Sequence, residues 1–221
     1  MTEQIVRSIP RAQPVDKVVR QTYTLLAIVM AVAAAGAGIG LAMDVGWGIG
    51  MWLLFMVVFV GGPFAINAAK SGDAAIWMTI AWGGLVGFLL SPLVNHYLSM
   101  PGGSGIVLNA LGATAVIFFA LSGYALVTRK DFSFMAGFLF VGLIVVLLAI
   151  VANIFFQIPG LSLAISGVSV MLMCGMILFD TSRMIHDGES NCVTIAVSQF
   201  ANITVLFTHL LRLFAFFAGE D

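Results

Sequence analysis

The chain has 221 residues with a formal net charge of −1, and 61% of its side chains are hydrophobic while only 9% are charged. Soluble domains carry roughly 25% charged residues to cover a water-facing surface, so this composition excludes a water-soluble fold and points to the lipid bilayer as the surroundings of most of the chain. Nucleic acid is excluded as a partner as well, because there is no basic field to neutralise phosphates.

The first segment, 1–21, combines Pro10 and Pro14 with mixed charges and little apolar content, and is expected to be a disordered cytoplasmic tail. It reads either as a handle for a partner or as an inert leader that sets topology. The apolar run that follows, 23–43, carries no charge. It exceeds the roughly 7–15 residue core of a signal peptide, so it is expected to remain as a membrane span. Apolar stretches of about 20 residues then place spans at 22–43, 46–69, 74–97, 105–128, 132–156, 161–184 and 193–217, followed by a short tail at 218–221. The expected fold is an all-α bundle of seven transmembrane helices. The connections are short, so neighbouring helices run antiparallel.

Orientation follows from the basic residues, since loops rich in Lys and Arg stay in the cytoplasm. Arg7, Arg11, Lys17, Arg20, Lys70, Arg129, Lys130 and Arg183 all fall on one side of this topology, and the alternate loops carry none. The N-terminus is therefore expected in the cytoplasm and the C-terminus outside. Arg212, near the outer end of the last span, is long enough to snorkel toward water. The main alternative is a re-entrant seventh span.

Glycines four apart, at Gly36/Gly40, Gly46/Gly50 and Gly83/Gly87, suit close helix approach where lipid supplies no hydrophobic drive. Cys174 and Cys192 lack the spacing of a zinc or redox site and read as unpaired thiols.

Polar residues inside spans are the candidates for function. Asp180 ends a charge-free run at 161–179, and Arg183 lies one turn on, where an ion pair could form on the same helix face. The bland alternative is an interfacial pair that simply ends the helix. In the last span Thr194, Ser198, Asn202, His209 and Arg212 fall within about 80° of one another at 100° per residue. Such a stripe avoids lipid and turns toward other helices or a water-filled cavity, which makes this span the candidate centre of the bundle. Packing against polar neighbours explains the stripe almost as well, and His209 reads first as a satisfied buried histidine. Asn95, His96 and Asn153 read as caps near outer helix ends, and Pro92 as a kink that frees carbonyls to line a cavity. The spans hold a single carboxylate, Asp180, where an intramembrane aspartyl protease needs two, and GxSxG, HExxH and GxxxxGK[ST] motifs are absent. No enzyme activity and no cofactor are expected.

Several longer runs carry a resemblance: Gly112-Ala-Thr-Ala-Val-Ile-Phe-Phe, Leu126-Val-Thr-Arg-Lys-Asp-Phe-Ser-Phe, Val151-Ala-Asn-Ile-Phe, and Leu178-Phe-Asp-Thr-Ser-Arg with Ile185-His-Asp-Gly-Glu. They resemble the Bax inhibitor-1 family, most closely its bacterial YccA-like branch, from about the third span to the C-terminus and more loosely before it. The resemblance implies seven helices with the last one surrounded by the others. It also implies two functions. Calcium-leak members use an aspartate pair in the sixth and seventh helices as a pH-dependent latch; Asp180 matches the first, but Asn202 stands at the second, so the carboxylate coupling is lost. Calcium prefers about 6–8 oxygen ligands, leaving at most a weak site at Asp180. The YccA-like branch is linked instead to the membrane AAA protease FtsH, as modulator and substrate. That role needs a tail the protease can grip and no carboxylate pair. Modulation of FtsH is the primary expectation, and a pH-sensitive leak of calcium or protons centred on Asp180 is the alternative.

Overall fold

In the computed structural model the described residues are 15–46, 48–69, 72–156, 158–186 and 191–219. They form seven helices: α1 (Val15–Ala42), α2 (Ile49–Ala68), α3 (Asp73–Leu98), α4 (Gly103–Thr128), α5 (Ala136–Phe156), α6 (Pro159–His186) and α7 (Cys192–Ala218), with a 3-10 turn at Ser133–Met135 before α5. All seven are long and apolar enough to cross a bilayer, and α7 runs unbroken rather than re-entering. The chain is helical from Val15, seven residues before the expected start of the first span, and Val18 and Thr22 are buried against the bundle and extend its packed face. The earlier part of the expected tail, with Arg7 and Arg11, lies outside the described residues, as do Lys70, the 187–190 segment and the last two residues.

The helices divide by how much lipid they meet. In α3 and α7, 44% of the most apolar window is buried, against 6% in α2 and 11% in α5, so the last two form the outer layer. Mean hydropathy is highest in the outer α5, at 3.0, and lowest in α7, at 1.6. The helix α7 packs against α1, α2, α3, α4 and α6, which makes it central. Beside it a cavity of about 820 Å³ lies among α1, α3 and α4, floored by Phe200, Ile203 and Phe207 of α7.

The closest helix approach joins α1 and α3. A Cβ on Gly87 would strike the backbone of Ala33, and one on Gly36 would strike the Gly84 carbonyl, so these positions admit only hydrogen. Two of the three glycine pairs thus act in packing. Gly46 and Gly50 do not: Gly46 precedes α2, and neither has a neighbour within 4 Å. Pro92 lies inside a continuous α3 and frees the Phe88 carbonyl from its helical donor. The Ser91 hydroxyl donates to that same oxygen at 2.7 Å, so the freed carbonyl is satisfied within its own helix. Asn95 likewise does more than cap, donating to Asp44 Oδ1 at 3.0 Å and fixing the α1–α2 connection to the end of α3.

Candidate functional site at Asp180

Asp180 lies six residues before the end of α6, about 9 Å along the helix axis from its terminus. It is 2% exposed. A carboxylate taken out of water needs donors, and α7 supplies two. Ser198 Oγ donates to Asp180 Oδ2 at 2.5 Å and Asn202 Nδ2 donates to the same oxygen at 2.8 Å. These donors sit one turn apart on α7 and so share a face. Arg183, expected as the ionic partner, is half-buried with its guanidinium carbon 5.7 Å from the Phe179 ring centroid; the hydrogen bonds that hold Asp180 come from α7.

The two residues after Asp180 extend the site. Successive helical side chains point about 100° apart, so Asp180, Thr181 and Ser182 reach three different neighbours. Thr181 Oγ1 donates to the Ile177 carbonyl at 2.7 Å and lies 3.5 Å from Ser122 Oγ of α4. Gln199, which is 0% exposed, donates through Nε2 to Thr181 Oγ1 at 3.1 Å and to the Ile177 carbonyl at 3.3 Å. Its Oε1 is buried without a partner. Ser182 Oγ accepts from the Phe132 backbone N–H at 3.0 Å and donates to the Lys130 carbonyl at 3.3 Å, pinning the α4–α5 connection to α6. The Asp-Thr-Ser run is thus a hub that ties α6 to α7, α4 and a loop.

The polar stripe of α7 is partly realised. Ser198 and Asn202 meet Asp180, and His209 Nδ1 lies 3.3 Å from Ser166 Oγ, so all three face α6. Thr194 Oγ1 instead donates to Asn67 Oδ1 of α2 at 3.1 Å. Arg212 is exposed and stands apart from the Asp180 cluster. Sequence reasoning passed over Gln199, Thr181, Ser182, Ser122 and Ser166. Gln199 was findable, since a buried amide beside Ser198 on the helix expected at the centre requires a partner. The serines and threonines were not, because such residues often satisfy themselves on their own helix carbonyl.

The oxygen set fits calcium poorly. One carboxylate is present, Asn202 turns its NH₂ toward it, and among the described residues no three His, Cys, Asp or Glu side chains gather, where calcium takes about 6–8 oxygens. Cys174 and Cys192 are free.

Residues 15–219 match the family described as "Inhibitor of apoptosis-promoting Bax1". The chain belongs to the Bax inhibitor-1 family. Within this family it is 39% identical over 205 residues to an Escherichia coli K12 protein named "Modulator of FtsH protease YccA", covering 93% of this chain and 92% of that one. It is 35% identical over 218 residues to a Pseudomonas aeruginosa protein, covering 99% and 97% of the two chains. A Vibrio cholerae membrane protein is 41% identical over 169 residues, covering 76% and 72%. The family match, and the likeness to the Pseudomonas aeruginosa relative, run through all seven helices, including the first two, where the sequence motifs alone were looser.

Proposed function

We propose that this multi-pass protein is a non-enzymatic modulator of the membrane AAA protease FtsH and is itself a substrate of that protease. The observation that carries this reading is the 39% identity, along nearly the whole of both chains, to a relative named for that role. The geometry agrees with it. Asp180 is held by a hydroxyl and an amide in a clamp that fastens α6 to the central α7, and such a clamp serves a bundle that resists extraction from the membrane. The bacterial inner membrane is the proposed location, with the N-terminus in the cytoplasm and the C-terminus in the periplasm. Lys17, Arg20, Arg129, Lys130 and Arg183 support this orientation, because all lie at the end of the bundle where α1 starts and α4 and α6 finish.

The test is reconstitution with FtsH and a second membrane protein as substrate. Full-length protein is expected to slow turnover of that substrate, and removing residues 1–14 is expected to protect the protein itself from degradation. That truncation stops short of Val18, which is buried in the bundle. Unchanged FtsH turnover of the second substrate refutes the proposal.

A pH-sensitive leak of calcium or protons is the second reading. It is favoured by one observation, a buried carboxylate bridging two spans. Flux into proteoliposomes across roughly pH 6–8, compared between wild type and Asp180→Asn, decides it. Flux no greater than in empty liposomes removes this reading.

A further inference from the structure

A recess with a mostly apolar lining and one guanidinium lies away from Asp180, at the end of the bundle where α2 begins and α3 and α7 finish. It is a cleft of about 220 Å³ whose lining includes Trp52 and Phe55 of α2, Tyr97 of α3, and His209 and Arg212 of α7. Its charge is unusual for its place. The other described Lys and Arg residues sit at the opposite end, and among the described residues no acid pairs with Arg212. Asp44, a described acid at this end, accepts from Asn95 and lies outside the cleft lining.

A guanidinium on a membrane-spanning helix is costly unless it finds an anion or water. Trp52 lies in the first turn of α2 and Tyr97 in the last turn of α3. Tryptophan favours the headgroup level of a bilayer, and Trp52, 40% exposed at the start of its helix, sets the mouth of the cleft at that level. The planar fork of arginine matches two phosphate oxygens at once, and a volume of 220 Å³ accommodates a group several times the size of a water molecule, which occupies about 30 Å³.

We propose that this cleft binds the phosphate of an anionic phospholipid headgroup, with Arg212 as the anion ligand and Trp52 and Tyr97 as its walls. In the orientation proposed above, on which only the choice of leaflet rests, the lipid comes from the outer leaflet. The site itself is independent of any action on FtsH.

The experiment uses the purified full chain in neutral detergent and titrates phosphatidylglycerol, phosphatidylcholine or inorganic phosphate, reading bound lipid by native mass spectrometry and the thermal midpoint in parallel. Phosphatidylglycerol is expected to bind and raise the midpoint, with affinity about tenfold weaker in Arg212→Gln and partly retained in Arg212→Lys. Trp52→Leu is expected to weaken binding with Arg212 intact, which keeps the test informative should Arg212→Gln fail to fold. Inorganic phosphate binding as tightly, with the same dependence on Arg212, reassigns the source to free phosphate and overturns the lipid assignment. Equal binding of phosphatidylglycerol to wild type and both Arg212 variants overturns the site altogether, as does equal binding of phosphatidylcholine.

Discussion

At the scale of single residues, the hydrogen bonds around Asp180 set what each substitution does. Asp180→Ala leaves the Ser198 hydroxyl and the Asn202 amide without their acceptor, and buried donors left unpaired cost about 1–3 kcal/mol. Asp180→Asn keeps an acceptor oxygen for these donors, so its loss is expected to be smaller. Equilibrium unfolding in detergent orders the two, and Asp180→Ala combined with Asn202→Ala should cost less than the sum of the single changes because the pair interacts. Outside the membrane, hydrogen bonds from the Ser133 hydroxyl and then its backbone N–H hold the Asp131 carboxyl below the usual carboxylate range. A depressed native value means this contribution is present at neutral pH and is lost as pH falls through it. Ser133→Ala should move the Asp131 titration, followed by NMR, back toward about 3.9.

At the scale of elements, glycine content divides by what each position meets. Gly87→Ala places a methyl against the Ala33 backbone and should destabilise the α1–α3 pair by about 1–3 kcal/mol. Gly112→Ala in α4 meets nothing within 4 Å and should cost nothing. Steric-trapping measurements of unfolding in bicelles compare them directly. A single hydroxyl of α6, that of Ser182, bonds both Phe132 and Lys130 of the α4–α5 connection. Ser182→Ala should raise hydrogen exchange and proteolysis at that loop while leaving the Asp180 bonds in place. Six of the seven expected spans both start and end within four residues of the helices, because a stretch of apolar side chains long enough for the bilayer has few other options. The start of α1 was the exception. Hydropathy marks where lipid begins, whereas helical hydrogen bonds continue into the polar residues from Val15 onward, held there by Val18.

At the scale of the whole molecule, the placement of α7 joins fold to function. A helix surrounded by α1, α2, α3, α4 and α6 can carry amides and hydroxyls because neighbours rather than lipid receive them. Extracellular and intracellular labelling of single cysteines added after residue 219 and before residue 15 should report opposite sides of the membrane. The amino-acid sequence by itself determined the membrane class, the number of helices and the presence of a polar face on the last one, because these follow from sums of transfer free energy and from the 100° helical repeat. Only the tertiary structure decided that Ser198 and Asn202 hold Asp180, that Gln199 and Thr181 complete the cluster, that Gly46 and Gly50 pack against nothing, and that Arg212 opens into a separate cleft. Those outcomes depend on the rotation and relative height of whole helices, which are set by side-chain fit across interfaces far apart along the chain.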